Sequence, residues 1–347
     1  MKILKYPFLA ILLISFNISA QEEIKFGVSV GLEKIDYNLT QTAIDGGFGS
    51  AQNNGGDDPN ASATREGSMS YMVPAIAFDM KYGAWGLSVK RSEGDDNSLM
   101  PSSGYPYVGW SRDDTPEREE TSFNFSYKFN NNWSLAFGAY NGSTDVDYTE
   151  AGRDTAFYQD TDGTLYSSYF WDITHTGNET ADSDGRYLAA VYQNRLSNNL
   201  FWFAKAGYQQ TDLDTSGKYV FYEVATANPN CEDAAIFGAC LTQAQLDSFQ
   251  VNETGVPGFG WDIDYAKEAT GDAAVVGLGL VYVLDPKNTI TFGYEFKNFS
   301  YDAGKLNLSW AGQNEANAAS VGSVNRDDDI ALEESADYFS ITYRHQF

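Results

Sequence analysis

Two cysteines, two histidines and nine prolines are all that 347 residues hold, and acids outnumber bases 48 to 22. Each scarcity excludes something. So few cysteines and histidines leave no ligand set for a zinc cluster. A net charge of -26 argues against nucleic acid or bare anionic surfaces as partners. Beyond residue 20 no apolar run reaches the roughly 20 residues that a spanning helix requires. A glycine-rich phosphate loop is missing too. What the chain does have is aromatic residues, at 15%.

The amino terminus reads as an export signal. Lys2 and Lys5 supply positive charge, 8–16 an apolar core, and Ile18-Ser19-Ala20 a small residue before a cut. Residues 1–20 are therefore expected to be a signal peptide and 21–347 the mature domain, starting at Gln21. No cysteine sits near the cut to carry a lipid anchor. In an oxidising exported setting Cys231 and Cys240 read as a local disulfide. Closing so short a loop contributes about 2–3 kcal/mol in the chain-entropy model.

Hydrophobic residues alternate with polar ones in stretches of about ten residues, the period of a strand with one apolar face. The first is 24–33, with Ile24, Phe26, Val28, Val30 and Leu32 on one side. The second, about 69–81, carries Met72, Pro74, Ile76, Phe78 and Met80, and Pro74 predicts a bulge there. A tight Tyr82-Gly83 turn leads to Trp85, Leu87 and Val89. Phe123, Phe125, Tyr127 and Phe129 follow, then Asn130-Asn131-Asn132 and Trp133, Leu135, Phe137 and Ala139. Strands at 185–196 and 200–211 meet at Ser197-Asn198-Asn199, and those at 272–284 and 289–301 meet at Asp285-Pro286-Lys287-Asn288. The tenth, 335–347, ends on Phe347.

Four short turns thus alternate with five long polar segments, near 38–67, 92–118, 145–182, 212–270 and 302–333, which read as loops. Within the fourth, 218–224 and 258–266 also alternate. They are either two further spans, making twelve strands, or a hairpin extension of strands seven and eight. The extension keeps the long segments on one side. Thr242-Gln243-Ala244-Gln245 has capping-box spacing and predicts a short helix.

This pattern resembles Gram-negative outer-membrane β-barrel proteins, over nearly the whole mature chain. The resemblance implies an all-β, antiparallel up-and-down barrel of about ten strands, with short periplasmic turns and long external loops. The carboxyl end, with Phe339, Ile341, Tyr343 and Phe347 on one face, looks like the signal read by the barrel-assembly machinery. Thr342 replaces a frequent Gly of that signal, and His345 occupies an apolar slot. Expected partners are outer-membrane lipid and lipopolysaccharide, with no nucleic acid.

With the apolar faces in lipid, Lys25, Lys81, Lys90, Lys128, Lys205, Lys297 and Arg344 point inward, alongside Glu33, Asp79 and Glu295. A cationic constriction for anions or an ion-paired plug would both follow. Eight-stranded barrels are just filled by side chains, so ten strands imply a narrow lumen. Gly277 and Gly279 are expected either to leave space in the lumen or to accommodate bulky neighbours.

The acids Asp57-Asp58, Asp95-Asp96, Asp113-Asp114, Glu119-Glu120 and Asp327-Asp328-Asp329 are expected in loops, where they could loosely hold divalent cations. No cofactor is otherwise implied. Asp162-Gly163 reads as a hairpin turn between 156–159 and 165–170 rather than a calcium loop. Tyr105, Tyr107, Trp110, Tyr166, Tyr169, Phe170, Trp171 and Trp261 are expected to be exposed loop aromatics.

Three functions fit. The first is porin-like passage of small anionic solutes through a narrow basic lumen. The second is surface binding or adhesion by loops over a closed barrel. The third is a rim hydrolase like the omptin proteases, which resemble this chain in strand number and size. Those use an Asp-x-His pair, whereas Asp172-Ile173-Thr174-His175 has the wrong spacing and His345 lies near the periplasmic end. The chain is therefore expected not to be an enzyme. The pattern makes one direct prediction: the mature chain should need detergent for solubility and give a strand-dominated circular dichroism spectrum, not a helical one.

Overall fold

Successive side chains of a strand point to opposite faces, so a sheet closed on itself sorts each alternating stretch into an inside and an outside. The computed structural model describes residues 23–43, 64–95, 111–159, 165–229, 241–249, 259–302, 304–313, 321–327 and 330–347. Strands β1 (Lys25–Ala43), β2 (Thr64–Tyr82), β3 (Trp85–Asp95), β4 (Ser111–Lys128) and β5 (Trp133–Gln159) each pair antiparallel with the next. β6 (Leu165–Arg195), β7 (Leu200–Ala227), β8 (Phe259–Asp285) and β9 (Asn288–Asp302) continue the meander. β12 (Ile330–Gln346) pairs with β9 on one side and β1 on the other, closing a ten-stranded barrel.

Two further strands, β10 (Lys305–Gly312) and β11 (Val321–Asp327), do not add spans. β10 pairs with the upper part of β8, beyond the end of β9. The register steps by one, from Asp302 opposite Thr270 to Leu306 opposite Lys267, so β10 prolongs β9 across a kink. β11 pairs with β10 and leads into β12 in the same way. Residues 218–224 and 259–266 likewise lie within β7 and β8 and pair with each other, so they extend two spans and add none.

Lipid sets the outer face. Ile24, Phe26, Val30 and Leu32 are about half exposed, as are Ile76, Phe78, Phe137, Leu188, Leu278 and Ile341 on other strands. On β1 this face ends at Lys34, which pairs with Asp36 at 2.6 Å. Ile24 to Leu32 spans roughly 20 Å of height at ordinary rise and tilt, close to the apolar band of known barrels.

The strands do not stop there. β5, β6, β7 and β8 are 27, 31, 28 and 27 residues long, several times what a span needs. Among the described residues, the polar segments read as loops are therefore largely sheet. Glu119 and Glu120 are consecutive residues of β4 rather than a loop pair, and so face opposite ways. The hairpin between β5 and β6 continues to Gln159 opposite Leu165.

The turns lie at one end. Gly83, at φ 59°, stands in a conformation that costs little only without a side chain. Asn130 Oδ1 accepts the N–H groups of Asn132 and Trp133 at 2.8 and 2.9 Å. Asp285 Oδ1 does the same for Lys287 and Asn288 at 2.8 and 3.0 Å. The predicted bulge at Pro74 is absent, and Pro74 sits in register opposite Leu32. The ladder to β3 runs from Ala75, so the missing N–H falls just past its end. Helix α1 (Gln243–Phe249) begins with the expected capping box, in which the Thr242 N–H donates to Gln245 Oε1 at 2.9 Å. Residues 1–20, Cys231 and Cys240, Asp57-Asp58, Asp162-Gly163, Tyr105, Tyr107 and Trp110 lie outside the described residues.

Substituting Gly83 by Val should cost about 1–2 kcal/mol, from forcing a β-branched residue to positive φ. Denaturant unfolding in micelles would measure it, with Pro74→Ala as the near-neutral control.

Candidate functional site

Inside the band every strand presents its polar face. Lys90 of β3 reaches past β2 to Glu33 of β1 at 2.9 Å. Lys205 of β7 reaches past β8 to Glu295 of β9 at 2.6 Å. Gly277 of β8 lies in that path, and Gly279 leaves the space that the Phe203 ring fills, as its sequence position suggested. Lys297 shares Glu295 at 3.5 Å. Arg118 and Glu120 pair at 3.0 Å, both largely shielded.

These pairs meet in the middle. Glu120 on β4 interacts electrostatically with Lys90 and with Lys297, which stands on β9 across the barrel. Tyrosines share this layer: Arg118 lies over Tyr37 at 5.2 Å, Lys297 over Tyr338 at 4.4 Å and Lys205 over Tyr187 at 5.0 Å. The hydroxyls of Tyr37 and Tyr338 are 3.1 Å apart, and Tyr140 bonds Thr211 at 2.7 Å. Tyr301 hydrogen-bonds Glu334, which interacts with Arg118 and Lys297.

Of the two interiors that the pattern left open, the ion-paired one describes mid-height. At mid-height Lys90, Arg118, Lys205 and Lys297 face Glu33, Glu120, Glu295 and Glu334, four charges of each sign. Cations from one strand meet carboxylates from another, which reading strands singly cannot reveal. Above this layer Ile35, Tyr37, Val73 and Ala336 form one buried cluster, and Ala269, Ala273, Phe299, Tyr301 and Leu332 a second.

Beyond the band the sidedness inverts. Outward positions become Asp145 and Asp147 on β5, Asp182 and Asp184 on β6, Asp212 and Asp214 on β7, and Asp262 and Asp264 on β8. Inward positions become apolar: Val146, Tyr148 and Ile173 are buried. His175 lies 4.7 Å from the Phe221 ring and 5.5 Å from Tyr219. Phe221 then meets Trp261 at 5.4 Å, and Tyr219 meets Tyr265 at 6.1 Å. An aromatic ladder thus crosses β6, β7 and β8. Carboxylates are set among the rings. Glu150, almost fully buried, is 3.2 Å from His175 Nδ1, and Glu179 accepts from the Tyr265 hydroxyl. Trp261 is accordingly a half-buried member of the ladder, not an exposed loop residue.

The other sequence candidates divide between two surfaces. Lys25, Lys81 and Lys128 stand at the turn end of the lumen, where Arg344 donates to both oxygens of Asp79. Phe339, Ile341, Tyr343 and Phe347 face outward, and the Phe347 N–H closes onto the Phe26 carbonyl at 2.9 Å. His345, in an apolar slot, places Nδ1 2.8 Å from Asn288 Oδ1. Arg118, Glu120, Glu334 and the tyrosines of the plug were missed. Their signal was present, since Arg118 and Glu120 continue the parity of Ser122, Asn124, Ser126 and Lys128.

No family model matches the chain, and no curated protein is similar to it in sequence. Solved structures do match in shape. The outer membrane protease OmpT from Escherichia coli aligns with a TM-score of 0.52 at 9% identity, over 93% of this chain and 97% of that one. The P. putida toluene transporter TodX aligns at 0.30 and 10% identity, over 93% and 90%. A Pseudomonas aeruginosa FadL homologue gives 0.28 and 9%, over 92% and 90%. The chain has the fold of a Gram-negative outer-membrane β-barrel.

Two outcomes test this site. Glu295→Gln strips Lys205 and Lys297 of their shared counter-charge, and should lower unfolding stability in micelles by about 3 kcal/mol. At the far end of the wall, Arg153 donates to Asp172 at 2.6 and 3.0 Å and holds its carboxyl below the usual range. Because the folded value lies below the unfolded one, this contact contributes above the ordinary aspartate range and is lost as pH falls through the folded value. Amide exchange at the tips of β5 and β6 should therefore quicken on acidification, and Asp172→Asn should remove that pH dependence.

Proposed function

We propose that this chain is an outer-membrane surface-binding protein, in which a closed barrel anchors a tall external wall whose aromatic inner face receives the ligand. One observation carries the reading: the apolar parity crosses from outside to inside above the band, over a lumen crossed by paired charges. A wall that served only as a spacer would need no continuous ring ladder with carboxylates set among its rings. Aromatic faces flanked by hydrogen-bonding groups are what binding clefts use for affinity and orientation. The acidic outer surface keeps the wall solvated and apart from its neighbours.

Porin-like passage of small anions is the second reading, favoured by the lysines at the turn end, and it requires the plug to rearrange. We read the chain as non-enzymatic, His175 being set by Glu150 and stacked among rings. His175→Ala and Glu150→Gln are the variants that would expose a hydrolase.

Planar-bilayer recording separates the first two readings. A closed barrel should give no steady conductance, whereas a steady anion-biased current would overturn it. Tryptophan fluorescence titrated with a panel of oligosaccharides and peptides should show saturable quenching. Trp261→Ala or Phe221→Ala should weaken it at least tenfold, about the 1.4 kcal/mol that one lost aromatic contact supplies, while the barrel still assembles.

A further inference from the structure

Among the described residues, the turn end of the lumen gathers more cations than its ion pairs engage. At the turn end, Lys25 of β1 stands directly opposite Lys81 of β2. Lys81 interacts electrostatically with Arg344, Lys128 and Lys25, and with the Asp79 carboxylate. Asp79 is already engaged, because Arg344 Nε donates to its two oxygens at 3.0 and 2.9 Å. Among the described residues, Lys25, Lys81 and Lys128 form no ion pair, whereas Lys90, Arg118, Lys205 and Lys297 each touch a carboxylate.

Four cations thus gather about the Asp79 carboxylate, in a chain where acids outnumber bases 48 to 22. Between Lys81 and the inward Ser126 of β4, the row is occupied by Gly86 of β3, which offers no side chain. Ser126 Oγ takes up the space that a Gly86 side chain would fill, so no further acid or base stands in that row. Like charges directly opposite on adjacent strands are destabilising, and an anion seated among them removes that cost.

We propose that this mouth is a binding site for a phosphate group presented from the periplasmic side. Lysine ammonium groups act as point charges with rotatable donors, and three of them can each take a separate oxygen of a multiply charged tetrahedral anion. The phosphate can belong to a soluble phosphoester or to a phospholipid headgroup. The chemistry of the site is the same for both.

Calorimetry on the mature barrel in phosphatidylcholine nanodiscs, with inorganic pyrophosphate at low ionic strength, tests the site. One saturable ion per barrel is expected, together with a raised unfolding temperature. Lys25→Gln and Lys81→Gln should each weaken binding about fivefold, and the triple change with Lys128→Gln should abolish it. Without pyrophosphate, Lys81→Gln should unfold at a higher temperature than the native chain, because repulsion is relieved. Repeating the titration in phosphatidylglycerol nanodiscs assigns the source: weaker apparent binding marks competition by headgroups, and unchanged binding marks a soluble ligand. No saturable heat with the native chain, or equal binding by a triple variant of native strand content, overturns the proposal.

Discussion

Hydrocarbon offers a peptide group nothing to bond with, so every N–H and C=O within the membrane must find its partner in the chain itself. For strands the solution is a ring without edges, and the seam between β1 and β12 makes it. Leu32 lies opposite Ile341 and Val28 opposite His345, so the first and last spans are held by their ladders like any other pair. That seam requires an even number of strands and brings both ends of the barrel to the turn side. It also forces half of every span inward, whatever the interior must then do with those side chains.

Ten strands enclose only a narrow interior, and at mid-height Lys, Glu, Arg and Tyr side chains share it. Taking charges out of water is costly unless partners and hydrogen bonds compensate, and the plug supplies both. Glu295 serves two lysines, and tyrosine rings cover the ammonium groups of Lys205 and Lys297. Higher up, the outside changes from lipid to water while the inside stays sheltered. The same strands answer by exchanging faces. On β7, Tyr208 points outward within the band, whereas Tyr219 and Phe221 point inward above it, with Asp212 and Asp214 outside.

That exchange explains what the pattern revealed and what it hid. All ten spans were legible, because lipid-facing aromatics such as Phe123, Phe125 and Tyr127 alternate with small polar residues. The wall was mistaken for loops. Its outward face is Asp and Thr, residues that usually mark turns, and its apolar face appears in the opposite phase. Asp145-Val146-Asp147-Tyr148 shows the alternation once the change of phase is recognised. Glu119-Glu120 looked like an acidic pair, yet one carboxylate meets Arg91 on the outer face and the other Arg118 inside.

Alternation along each segment is a local property, and it sufficed by itself to place the spans, their turns and the face that meets lipid in the band, while ten and twelve strands both remained open until the β7–β8 pairing decided for ten. It could not decide which charges meet. Glu120 and Lys297 lie far apart in the chain and on opposite sides of the ring, and their approach exists only after closure. Whether inward lysines amount to a basic lumen or a neutral plug therefore rested on the tertiary structure, because electrostatic energy depends on distance through space and not on separation in sequence.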